Sequence, residues 1–127
     1  MIYLDSCLLI YLEEEDPRFV DLTVTALASG GDFCISALVK AECMVGAYRR
    51  NDPLREASYE RLFGRFQTLE INEPIYFLAA RIRARAGLKL ADALHLACAQ
   101  ENGCSALWTN DNRLAAAAPG FARNILA

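Results

Sequence analysis

MIYLDS, residues 1–6, decides the fold. Met1–Leu4 is a short apolar run that reads as a strand. It ends on Asp5, and Ser6 is suited to cap a helix carrying Leu8, Leu9 and Leu12. The same strand, polar turn and helix recur down the chain. Phe33–Ile35 reads as a second strand, after which Ser36 caps a helix to about Arg50. Thr68–Ile71 reads as a third, ahead of Asn72-Glu73-Pro74, which start a helix ended by Gly87. Ala106–Thr109 reads as a fourth and leads through Asn110-Asp111-Asn112 into a short alanine-rich helix; Phe121–Leu126 forms a last strand. Three further helices fill the gaps: one opened by Asp16-Pro17 and closed by Gly30-Gly31, one from Asp52-Pro53 to about Phe66, and Ala91–Glu101, stopped by Gly103. This alternation predicts an α/β fold, with a parallel sheet of about four to five short strands and helices on both faces.

The 127 residues are expected to form one domain, residues 1–127, with no repeat or linker. At 54% hydrophobic and 23% charged residues the chain has ample core material and is not of disordered composition. No apolar run approaches the ~20 residues that span a bilayer, and the acidic start lacks the basic segment of a secretory signal, so a cytoplasmic protein is expected. Five cysteines without a C-x-x-C pair, and one histidine, argue against structural zinc and for small core thiols in a reducing compartment. Any metal is then a hard, oxygen-ligated one, Mg²⁺ or Mn²⁺. A net charge of −3 argues against a broad electrostatic grip on duplex DNA. The thirteen basic residues are all arginine except Lys40 and Lys89, and Arg81, Arg83, Arg85 and Lys89 cluster just ahead of Asp92.

Four acids fall where this chemistry is expected. Ligands of open parallel sheets bind beyond the carboxyl ends of the strands. Asp5 ends the first strand and Asp111 lies two residues past the fourth, although both also suit ordinary turn and cap chemistry. Glu42 is framed at helical spacing by Leu38, Val39, Val45 and Gly46, with Lys40 pointing elsewhere. Burial there raises its pKa unless a cation compensates. Asp92 lies in the first turn of its helix, where acids also suit the helix dipole. His95, at i+3, reads as a packing or capping residue rather than a ligand. Ser6 and Thr109 adjoin Asp5 and Asp111 and can orient a carboxylate or cap a helix. Unit charges ~4 Å apart at an effective dielectric near 20 repel by about 4 kcal/mol, so four gathered carboxylates call for a divalent cation. The absence of D-x-D after the first strand excludes a haloacid-dehalogenase-type phosphatase.

These residues resemble the PIN-domain ribonucleases, and within them the VapC-type toxins of bacterial toxin–antitoxin pairs. The resemblance rests on YLDSCLLIYL, SALVKAECMVGA around Glu42, LKLADALHLACA around Asp92 and LWTNDNRL around Asp111, and it spans essentially the whole chain. It implies a three-layer α/β/α fold with Asp5, Glu42, Asp92 and Asp111 as an acidic quartet binding Mg²⁺ or Mn²⁺, and Ser6 and Thr109 as the hydroxyls beside it. It also implies a metal-dependent endoribonuclease, a hydrolase acting as the toxin of such a pair. Its partners are then RNA, a cognate antitoxin covering the pocket, and a second copy in a homodimer or hetero-oligomer. Arg81, Arg85 and Arg113 are candidates for flanking phosphates. Cys7 stands where the family often has asparagine or serine. The contrasting expectation is a catalytically silent RNA-binding or protein-interaction module with a structural ion. Leu8, Leu9, Tyr11 and Leu12 of the first helix, with Met44 and Tyr48, are candidates for partner contacts.

Overall fold

The computed structural model describes residues 1–127. Five short strands form one sheet: β1 (Ile2–Leu4), β2 (Phe33–Ser36), β3 (Gln67–Leu69), β4 (Ala106–Thr109) and β5 (Ala122–Asn124). All neighbours are parallel, in the order β3-β2-β1-β4-β5. β1 is therefore central. Ile2 is in register with Phe33 on one side and with Ala106 on the other.

The helices are α1 (Ser6–Glu13), α2 (Val20–Ala28), α3 (Ala37–Arg49), α4 (Pro53–Phe63), α5 (Glu73–Ala86), α6 (Leu90–Glu101) and α7 (Asn112–Ala117). The chain steps outward from β1 to β2 to β3, crosses to β4, and ends on β5. Right-handed crossovers then put α1–α4 on one face of the sheet and α5–α7 on the other. Most contacts between helices follow that division: α1 packs on α2, α3 and α4, while α6 packs on α5 and α7 and meets α3 across it. The expected three layers are present, with a parallel sheet covered on both sides.

Burial on both faces explains why the strands are apolar throughout rather than alternating. Tyr3, Leu4, Cys34, Ile35 and Leu107 are fully buried in the sheet, and Leu8 and Leu9 pack onto it from α1. Leu8 and Leu9 are thus core residues and not a partner surface; Met44 is buried as well, while Tyr48 is exposed. All five cysteines are free thiols, four of them buried. Burial pushes the Cys34 and Cys43 thiols up to about 12, so they behave as small apolar side chains.

Local signals set most helix ends. The side chains of Ser36, Asp52 and Asn72 accept from the N–H groups of Val39, Arg55 and Ile75, capping α3, α4 and α5. Gly87, at φ +67°, ends α5 in the left-handed conformation that glycine adopts freely. Some boundaries differ from the sequence reading. The cap of α1 is Asp5, with Ser6 its first helical residue. The second helix begins at Val20 and not at Pro17, because the Asp16 carboxylate is taken by the backbone N–H and guanidinium of Arg18 in a tight turn. α4 stops at Phe63, since Gln67 must already be extended to pair with Cys34, and β3 runs Gln67–Leu69 rather than to Ile71. No helix is long and apolar enough to cross a membrane.

A core position and a surface one separate cleanly in this frame. Leu107→Ala, at a fully buried site in β4, should cost about 2–5 kcal/mol in urea unfolding. Leu54→Ala, at an exposed site on α4, should change stability by less than about 0.5 kcal/mol in the same measurement.

Candidate metal centre at the carboxyl edge of the sheet

β1 leads away to β2 on one side, and β4 lies on its other side, so the strand order reverses between β1 and β4. A crevice opens there beyond the carboxyl ends of the strands. It is an open depression of about 410 Å³ lined by Asp5, Ser6, Cys7, Tyr11, Glu42, Asp92, Asn110, Asp111 and Asn112. All four acids singled out in the sequence line it, brought together from β1, α3, α6 and the turn after β4.

Asp5 is the most constrained. Its Oδ1 accepts the Ser6 N–H at 2.8 Å, and its Oδ2 accepts the Thr109 hydroxyl at 2.7 Å. The buried Thr109 oxygen in turn accepts the Asp111 N–H at 2.9 Å. One hydroxyl therefore joins the ends of β1 and β4 and sets the spacing of two of the carboxylates. Asp111 also caps α7, its Oδ1 accepting from the N–H of Arg113 at 2.8 Å and of Leu114 at 3.4 Å. Cap and site roles coexist in both residues. Ser6 acts on Asp5 through its backbone N–H and also lines the depression.

Glu42 is partnered by a side chain of the protein itself. The Glu42 Oε1 lies 2.6 Å from His95 Nε2, which is 3.8 Å from Asp5 Oδ1. Burial acts to raise the Glu42 pKa, but the hydrogen bond and charge of His95 outweigh it, and the carboxyl is held below its usual value. The effect of burial anticipated for Glu42 is present, and a histidine 53 residues away in sequence offsets it. His95 is fully buried, and its own pKa is raised: burial opposes its charge, while the bond to Glu42 and the charges of Asp5, Glu42 and Asp92 favour it more.

Asp92 is different, because no protein group donates to its carboxylate. Burial and then the charges of Asp5 and Asp111 push its pKa up, with His95 only partly opposing them. A cation bound here would relieve that repulsion. The donor set fits a hard divalent ion: carboxylate oxygens, with no basic side chain in the lining. Asp5, Glu42 and His95 bring donor atoms within 4.8 Å of one another. Yet Nε2 faces a carboxylate that can only accept, so it carries a hydrogen and has no lone pair for a metal. The side chains of the depression that could hold a metal are then the carboxylates.

Other residues fall outside the depression. Arg81, Arg85 and Arg113 are exposed, and none lines it. Arg83 donates to the Leu88 carbonyl at 2.8 Å, latching the turn that leads into α6. Cys7 does line it, but burial and the charge of Asp5 push its thiol up to about 12, so it stays protonated. The sequence reading passed over Tyr11 and Asn110 as site residues; the Asn110 amide donates to the Tyr11 hydroxyl at 2.9 Å. It also gave His95 only a packing or capping role. The available signal was a lone polar residue in the apolar run ALHLACA, on the same helical face as Asp92.

Comparison with known proteins agrees with this geometry. The family profile described as PIN domain matches residues 2–119. No curated protein sequence matches the chain. Among solved structures, it is similar to a chain of a toxin–antitoxin complex from Klebsiella pneumoniae, at 25% identity and a TM-score of 0.82, with 98% of each chain covered. It is also similar to FitAcB from Neisseria gonorrhoeae, at 26% identity and a TM-score of 0.79, with 98% of each chain covered. VapC20 of Mycobacterium tuberculosis, titled a sarcin–ricin loop cleaving toxin, shares the fold at 17% identity and a TM-score of 0.79, covering 92% of this chain and 95% of its own. The resemblance to VapC-type toxins holds at the level of structure, and the chain belongs to the PIN-domain family.

Proposed function

We propose that this chain, acting as a single PIN domain over residues 1–127, is a Mg²⁺- or Mn²⁺-dependent endoribonuclease and the toxin of a toxin–antitoxin pair. The observation that carries the reading is the convergence of Asp5, Glu42, Asp92 and Asp111 on one depression, with Asp92 left without a protein donor. The Klebsiella pneumoniae chain that it overlays comes from a toxin–antitoxin complex. The same reading gives it a cognate antitoxin that covers the acidic depression, assembly as a homodimer or toxin–antitoxin hetero-oligomer, and a cytoplasmic setting, which suits five free thiols.

In this mechanism Asp5, Asp92 and Asp111 would hold the ion, and Glu42 would either join them or orient the attacking water. A bound Mg²⁺ or Mn²⁺ supplies Lewis acidity for in-line attack of water on an RNA phosphodiester. The chain's own part is preorganisation. Thr109 and the Ser6 N–H hold both oxygens of Asp5, so this carboxylate does not have to reorient when the ion arrives. Asn110 and Tyr11 form a polar wall beside the acids where a nucleotide can rest. Arg81, Arg85 and Arg113 lie beyond the lining and serve, in this proposal, only phosphates flanking the cleaved one.

Three measurements test the proposal. Purified protein should cleave a mixed pool of structured and single-stranded RNA with Mn²⁺ and not with EDTA, and its expression in cells should arrest growth. Asp92→Asn should reduce both to background. Stabilisation by the ion, with no cleavage and no growth arrest, would instead identify a catalytically silent binding module. Thr109→Val removes the hydroxyl that holds Asp5, and should raise the Mn²⁺ concentration for half-maximal cleavage about tenfold. The third is thermal melting in EDTA. A raised folded-state pKa means that ionised Asp92 is penalised by the fold, so stability falls as pH rises through its unfolded value of about 3.9. At neutral pH Asp92→Asn should therefore melt higher than wild type, by ~3 °C, and the gap should narrow toward pH 4.

A further inference from the structure

We propose that His95 is a positioning residue for Glu42, held in place by a buried hydrogen-bond chain through Tyr3 and Ser36. This rests on the metal-centre reading above. It adds a device that neither the family match nor the acidic quartet contains.

The chain is continuous. The Ser36 oxygen accepts the Val39 N–H at 3.4 Å as the cap of α3. It lies 2.7 Å from the Tyr3 hydroxyl, which lies 2.7 Å from His95 Nδ1; His95 Nε2 then reaches Glu42 Oε1 at 2.6 Å. Ser36, Tyr3 and His95 are all fully buried. The chain begins and ends on α3, since Ser36 caps this helix and Glu42 lies six residues further along it. Between those ends it passes through β1 and then α6, on the opposite face of the sheet. Four side chains thus tie together the three elements that supply Glu42, Asp5 and Asp92.

Two features favour positioning over mere core packing. A phenylalanine would fill the space of Tyr3 without a buried hydroxyl, and burying a hydroxyl is unfavourable unless it is bonded. Here the hydroxyl has two partners, and both of them lead to Glu42. The imidazole is also held at both nitrogens. Turning the ring over would place carbon atoms at Tyr3 and at Glu42 and break both bonds together. Nε2–H is therefore fixed on Glu42, whichever way the Tyr3 and Ser36 hydroxyls rotate. One Glu42 oxygen is thereby held toward the imidazole, which fixes the direction in which the carboxylate faces the depression. Groups that orient metal ligands in this way are typically worth 10–100-fold in metal affinity.

Mn²⁺ binding to the full chain, measured by titration calorimetry, tests this. His95→Leu should weaken binding about tenfold, and Tyr3→Phe should weaken it by a smaller factor. His95→Gln, whose amide nitrogen reaches the Nε2 position, should recover most of the loss. In a Glu42→Ala background, His95→Leu should have almost no further effect. Equal losses with and without Glu42, or unchanged affinity in folded His95→Leu or Tyr3→Phe, would overturn the proposal. A second readout needs no metal and no substitution at His95. In ¹⁵N-labelled protein in EDTA, the Nε2 proton of His95 should appear as a slowly exchanging, downfield resonance. It should exchange faster in Tyr3→Phe and be lost in Glu42→Ala. Its absence from wild type would refute the positioning role. Wild type that shows the resonance yet binds no Mn²⁺ would instead refute the metal-centre reading and leave the imidazole clamp standing.

Discussion

β1 is three residues long and hydrogen-bonded on both sides, and the rest of the molecule is arranged around that double pairing. Because β2 and β4 flank it, the strand order must reverse there, and the crevice that results opens directly over Asp5. The same constraint buries Tyr3 at the centre of the sheet, within reach of both the end of β2 and α6. Trp108 accepts the Asp5 N–H at its carbonyl, 3.0 Å away, so the β1–β4 ladder continues onto the acid itself. Asp5 is positioned as firmly as a core residue and is buried like one, although it lines the depression.

The site shows how a small fold gathers negative charge without flying apart. Each acid but one is bound to something fixed. Thr109 and the Ser6 N–H hold Asp5, the first turn of α7 holds Asp111, and His95 holds Glu42. Asp92 has no donor: burial and the charges of Asp5 and Asp111 raise its pKa, and His95 only partly offsets them. Stability held back at one residue in this way is available to a ligand, since binding a cation relieves the repulsion that folding alone leaves in place.

Much of this was legible in the sequence, and for physical reasons. Strands buried on both faces must be apolar throughout, so IYL, FCI and ALWT announce themselves. Caps such as Ser36, Asp52 and Asn72 act on atoms within three residues, and local chemistry of that kind is readable without a fold. The misplaced boundaries have the opposite cause. Asp16 resembles a helix cap, but its carboxylate goes to Arg18, and β3 starts where Cys34 offers it a partner. The choice between two locally acceptable conformations lies with a partner elsewhere.

The sequence by itself determined the alternation of strands and helices, the positions of the four acids relative to the strand ends, and the hard character of any metal they bind. Each of these follows from residue type and short-range spacing. Only the tertiary structure decided which charges are answered and by what. Glu42 is paired with a histidine from the opposite face of the sheet, Thr109 serves Asp5 and Asp111 at once, and Asp92 is left without a donor. Electrostatic and hydrogen-bonding partners are set by distance in space. In a parallel sheet every strand exit reaches the common edge only after long crossovers, so those distances have no counterpart in sequence separation.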